Sequence, residues 1–156
     1  MTRRLRTEIQ QSKAFATLEE EVCLEVQRTA QSVLRWVVEA LKPSGLTAPQ
    51  FNVLRILRGA RPAALSGCAI ADRMVAHDPD LTRLLDRLET AGLVEKTRDA
   101  SDRRVVNAHI TPTGVRLVES ASLAVRARMR AEMGALGPRK LGVLANLLEE
   151  LRGSTA

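Results

Sequence analysis

Apolar residues recur along this chain at helical spacing, broken by one short stretch of strict alternation after residue 104. Leu18, Val22, Val26, Ala30, Val33, Val37 and Leu41 form the stripe of a long amphipathic helix predicted over 14–41, which the KPSG of Lys42 to Gly45 ends. The next helix opens on Thr47 and Gln50, the spacing of a capping box, with Leu46 and Phe51 placed as its hydrophobic staple, and closes near Gly59. Beyond Arg61 and Pro62, Ser66 is placed to cap a short helix carrying Ile70, Ala71, Met74 and Val75. Thr111 and Pro112 start another long helix, running through Leu136, with Leu117, Ala121, Val125, Met129 and Met133 as its stripe. Gly137 and Pro138 break it, and a last helix carries Leu141, Leu144, Leu147, Leu148 and Leu151.

The segment from Asp78 to Gly114 is the most informative. Asp78 suits the N-cap of a helix, Pro79 its first position, and Asp80 the positive end of its dipole. Leu81, Leu84, Leu85 and Leu88 fall on one face and leave Thr82, Arg83, Asp86 and Arg87 on the other. Gly92 can adopt the left-handed conformation that ends a helix, with Leu93 folding back on Leu88 as in a Schellman closure. A hairpin follows, with strands predicted over 93–98 and 105–110 joined by the turn DASDRR. In its second strand Val106, Ala108 and Ile110 alternate inward while Asn107 and His109 point out. Helix, turn, helix and basic hairpin make a winged helix-turn-helix, predicted over 46–112. The predicted fold class is mostly α with a small β-hairpin wing, flanked by helical segments at 14–41 and 113–152. A winged unit of about 65 residues can cover its own core, so apolar stripes at both ends of the chain need another surface: a second subunit in a homodimer, or each other within one chain.

Composition narrows the partners. The 156 residues carry a formal charge of +6, which suits a polyanion, although Arg supplies twenty of the twenty-four basic residues and that bias lowers the weight of the charge. Two Phe, one Trp and no Tyr exclude the aromatic platforms that bind single-stranded nucleic acid. No run is long enough to span a bilayer, and residues 1–13 are a polar, basic arm without the apolar core of a signal peptide, so a cytoplasmic protein is expected. Cys23 and Cys68 are far apart, without the spacing of a zinc site, and are expected to be buried free thiols. His77 and His109 stand singly and the acidic run Glu19 to Glu21 reads as a solvated face, so no enzyme chemistry and no cofactor or metal is predicted.

The motifs LTRLLDRLETAGLVEK, the acidic turn with DRR, and ITPTG resemble the multiple-antibiotic-resistance regulator (MarR) family of bacterial transcription regulators. LTAPQFNVLRIL at Leu46 to Leu57 and CAIADRM at Cys68 to Met74 are similar to the family's preceding helices. The chain departs from the family at Asp78 and Asp80, where many members carry Ser or Thr. The resemblance implies a homodimer whose two chain ends interlock across a twofold axis. It also implies a repressor acting on a palindromic double-stranded operator, and a small-molecule effector entering between the winged domain and the dimer helices near Trp36.

Within that frame Thr82 and Arg83 are candidates for base edges and Arg87 for phosphate; the alternative for both arginines is an ion-pair ladder with Asp86. Asp80 is a candidate acceptor for a cytosine amino group, or simply part of the helix cap. Arg103 and Arg104 are wing candidates. Neighbours in a strand face opposite ways, so one can enter the minor groove while the other braces the hairpin against Asp102 or Asp99. Two further readings stand beside this one: a winged-helix protein-interaction module, and a hydroperoxide sensor using Cys23. The absence of the tyrosines that stabilise the thiolate in that branch of the family speaks against the sensor.

Overall fold

The computed structural model describes residues 4–76, 78–98, 102 and 105–153. The chain divides into two compact units, Met1–Trp36 and Val37–Ala156.

In the first unit, helix α1 spans Arg4–Glu8 and the long helix α2 runs Leu18–Leu41, its last turn continuing into the second unit. The segment read from the sequence as a polar, basic arm is therefore partly helical. Leu5 is buried, Arg6 donates to the Ser12 carbonyl at 2.9 Å, and Glu8 pairs with Arg28 at 3.5 Å. Helix α2 begins at Leu18 rather than Ala14, because the Thr17 hydroxyl accepts from the Glu20 N–H (3.2 Å) and the Glu20 carboxylate from the Ala16 N–H (2.8 Å). The Glu19 carboxyl is held below its usual range by backbone and Thr17 hydrogen bonds at this helix start.

The second unit holds the winged helix-turn-helix. A 3₁₀ turn at Lys42–Ser44 ends on Gly45 at φ +69°, and helix α3 (Ala48–Ala60) follows. Its capping box is complete in both directions: Gln50 N–H to Thr47 Oγ1 at 3.3 Å, and Thr47 N–H to Gln50 Oε1 at 2.9 Å. Leu46 and Phe51, the predicted staple, are both in the core. Strand β1 (Leu65–Ser66) leads into helix α4 (Gly67–Ala71), capped as expected by Ser66, whose Oγ accepts from the Ala69 N–H at 3.2 Å. Helix α4 is shorter than predicted. Tight bonds from Arg73 N–H to Ile70 and from Met74 N–H to Ala71 wind the chain out of the helix, leaving Met74 half-buried and Val75 exposed in the turn.

Helix α5 (Leu81–Thr90) and the hairpin strands β2 (Val94–Arg98) and β3 (Val106–Ile110) complete the winged unit. The sheet has one strand more than the sequence suggested: β1 pairs with β3, Leu65 opposite Ala108, giving the antiparallel order β1-β3-β2. Its core joins Phe51, Val53, Leu54 and Leu57 of α3 to Ile70, to Leu84, Leu85 and Leu88 of α5, and to Val94, Ala108 and Ile110 of the sheet. Helix α6 (Pro112–Met133) buries Val118 and Ala121 against it. A 3₁₀ turn through Leu136 and Gly137 at φ +69° then lead into α7 (Gly137–Gly153), which buries no residue. No described helix is long and apolar enough to cross a membrane.

Candidate nucleic-acid interface

The interface is built around α5. Its stripe packs as predicted, with Leu84, Leu85 and Leu88 buried, Leu81 half-buried and Thr82, Arg83, Asp86 and Arg87 exposed on the opposite face. The start differs from expectation. Asp78 Oδ1 accepts from the Asp80 N–H at 2.9 Å, an Asx turn, so the Asp78 oxygen expected to cap the helix instead turns the chain into it. Pro79 lies outside the helix, and Asp80 occupies the N-cap place without a side-chain cap. The Asp80 carboxylate turns to Arg83 Nη1, 3.4 Å away, while the Arg83 side chain stays 76% exposed. Upstream, the Val75 N–H donates to Asn52 Oδ1 at 3.2 Å and ties the turn before α5 to α3.

The far end of α5 closes as the sequence predicts. Gly92 sits at φ +68°, its N–H donates to the Glu89 carbonyl at 2.8 Å, and the Leu93 N–H reaches back to Leu88 at 3.0 Å. Thr111 locks this closure to the start of α6: its hydroxyl donates to the Gly92 carbonyl at 2.8 Å and accepts from the Gly114 N–H at 3.0 Å, and its N–H donates to Leu93 at 3.1 Å. Gly114 is required there, since a Cβ would lie 2.3 Å from the Leu93 carbonyl oxygen. The ITPTG motif is thus the clamp that holds the wing's base against the end of α5.

The ion-pair ladder weighed for Arg83 and Arg87 does not form. Asp86 is bound to Lys96 Nζ of β2, which also contacts Glu89 Oε2 at 2.8 Å, and Arg87 makes no ion pair among the described residues. Glu89 Oε1 further accepts from the Lys96 N–H at 3.2 Å, covering one N–H on the open edge of the sheet. Hydrogen bonds that its ammonium donates to Asp86 and then to Glu89 raise the Lys96 pKa above its ordinary 10.5. Sequence reasoning passed over Lys96. The available signal was its place in the alternation: it shares a strand face with buried Val94 and lies opposite buried Ala108.

On the wing, His109 pairs across the strands with Glu95 at 3.0 Å on the outer face, as its alternation predicted. Val106, expected inward, is exposed because it sits opposite Arg98 at the tip end of the hairpin, past the edge of the core. Arg98 is itself exposed and adds a cation there. The Val105 N–H donates to the Asp102 carbonyl at 2.9 Å. Arg103 and Arg104, with Asp99, lie outside the described residues. Trp36 lies on α2 and is half-buried. Neither cysteine is packed away as expected: Cys23, one position off the apolar stripe, is exposed with its Sγ accepting from Gln27 Nε2 at 3.2 Å, and Cys68 is exposed in the first turn of α4. Among the described residues no three His, Cys, Asp or Glu side chains converge on a metal position.

Residues 46–106 match the sequence profile of the MarR family. The chain is 33% identical over 111 residues to the HTH-type transcriptional regulator FarR of Neisseria gonorrhoeae, covering 71% of this chain and 75% of FarR. Among solved structures it resembles a MarR transcription factor from Planctomyces limnophilus (35% identity, 87% of this chain and 98% of that one, TM-score 0.68). It also resembles Bordetella bronchiseptica BpsR, whose DNA binding is regulated by 6-hydroxynicotinic acid (26% identity, 85% and 98% covered, TM-score 0.76).

Proposed function

Because this chain belongs to the MarR family of DNA-binding transcription regulators, we propose that it acts as a homodimeric repressor on an inverted-repeat operator, with a small effector tuning its affinity. The observation that carries the reading is the outer face of α5. A helix locked to the core by three leucines holds the Arg83 side chain 76% exposed beside Thr82 and Arg87. Rigid placement of this kind is what base-edge recognition in the major groove needs. Thr82 and Arg83, in the first turn, are assigned to base edges, Arg87 to phosphate, and Asp80 both to orienting Arg83 and to accepting from a cytosine amino group. Arg103 and Arg104 are assigned to the wing's contacts with the flanking groove and backbone. Segments 14–41 and 113–152 are assigned to the dimer interface, supported by the open apolar face of α7. Trp36 is assigned to effector contact, and the BpsR effector suggests an aromatic acid as the class to screen first.

Selection of bound sequences from a random duplex pool tests the reading. A twofold dimer should recover an inverted repeat with half-site centres about one helical turn, roughly 10 base pairs, apart. Arg83→Ala should reduce discrimination by about 1–3 kcal/mol, whereas Arg103→Ala with Arg104→Ala should weaken binding to every duplex and lower its salt slope. Equal affinity for selected and random duplex would sink it. An effector that releases operator must in turn bind operator-loaded protein more weakly by the same factor, which calorimetry on the two forms measures.

A further inference from the structure

The charged residues of α5 cancel within the helix: Arg83 and Arg87 are matched by Asp86 and Glu89. A surface with no net charge has little attraction for duplex phosphate, so this face needs compensation from outside the helix. Lys96 supplies it. Its ammonium bridges both carboxylates, its backbone N–H holds Glu89 a second time, and its side chain is only 21% exposed, against 54% for Asp86 and 43% for Glu89. A lysine so covered and so occupied is poorly placed to reach a phosphate itself.

We propose that Lys96 is a built-in counterion of the DNA-facing helix: it holds Asp86 and Glu89 toward the strand and offsets one of their two charges, leaving Arg87 without a carboxylate partner among the described residues and Arg83 paired only with Asp80, and does not touch DNA. Lys96 is thus a positioning residue, acting through the two carboxylates. The inference rests on the assignment of α5 to DNA, and the variants below separate the two.

Binding of the full-length protein to a labelled mixed-sequence duplex is followed across a salt series, with thermal melting of each variant alongside. Lys96→Met should weaken binding about three- to tenfold, by exposing phosphate to two unneutralised carboxylates. Adding Asp86→Asn and Glu89→Gln to Lys96→Met should restore wild-type affinity or exceed it with the wild-type salt slope, whereas loss of a direct phosphate contact would leave the slope lower by about one. Asp86→Asn with Glu89→Gln, Lys96 intact, should bind more tightly than wild type, and if Lys96→Met melts below the working temperature the triple variant, which lacks the two carboxylates, is compared with wild type by salt slope. Lys96→Arg should keep wild-type affinity. A triple variant as weak as Lys96→Met, or a double variant no tighter than wild type, overturns the counterion role. If Arg83→Ala with Arg87→Ala binds as wild type, the assignment of α5 itself fails and the inference falls with it. If that pair loses binding while the Lys96 series fails to respond, only the inference falls.

Discussion

The winged unit and helix α7 carry similar apolar sequence and treat it in opposite ways. In α5, three leucines are buried by α3, α4 and the sheet; in α7, Val143, Leu144, Leu147 and Leu151 are each between 42% and 55% exposed. The difference lies in what each stripe can reach. The stripe of α5 closes on a core that the same chain completes within a few tens of residues, whereas α7 follows the break at Gly137 and is left without a buried residue. An open leucine face of that length is what supports the proposed interface. The proposed function divides the same way: the closed unit is assigned the reading face, and the open helix the pairing of two such faces.

The largest effect is expected where the stripe is open. Leu147→Glu with Leu151→Glu, which are surface changes within one protomer, should abolish the dimer in sedimentation velocity. A stable dimer carrying both glutamates would remove α7 from the interface. In the closed unit, Leu88→Ala should cost about 2–5 kcal/mol in chemical denaturation, since Leu88 is fully covered. A loss under 1 kcal/mol would mean that the core is looser than its packing indicates. Gly114→Ala should cost somewhat less, about 1–3 kcal/mol, because the new methyl must push aside a backbone carbonyl. Its DNA affinity should fall more than its melting temperature suggests, as the clamp between α5 and the wing loosens.

The smallest effect concerns pH. The Lys96 pKa is raised in the folded protein, so the bridge's contribution to stability is fully present below the lysine's ordinary 10.5 and is lost as pH rises through the higher folded value. The melting-temperature gap between wild type and Lys96→Gln should therefore hold steady through neutral pH and narrow only in strong alkali. A gap that narrows between pH 6 and pH 9 would point to some other group.

Much of the reading face was legible in the chain. The leucine period of α5, the Gly92 closure, the Thr47 and Ser66 caps and the Thr111 start of α6 all follow from residues within one turn of each other. The misses have a common form. Asp78 made an Asx turn in place of a cap, because an aspartate that reaches two residues on has two competing local partners. Strand β1 was passed over because a two-residue strand has no period to read. The exposure of Cys23 depended on one position around a helix.

What the sequence by itself determined, then, is most of what closes within a few residues: the long helices, the Thr47, Ser66 and Thr111 caps, the hairpin and the side of α5 that faces outward. Only the tertiary structure decided which charges meet. The Asp86 carboxylate lies one and three positions from Arg87 and Arg83 in sequence, yet it bonds to Lys96, ten residues on and across the Gly92 turn. The physical reason is that an exposed helical ion pair is worth only tenths of a kcal/mol. The winner is set by which cation the packing of β2 on α5 has already brought into reach, and no local rule of spacing contains that information.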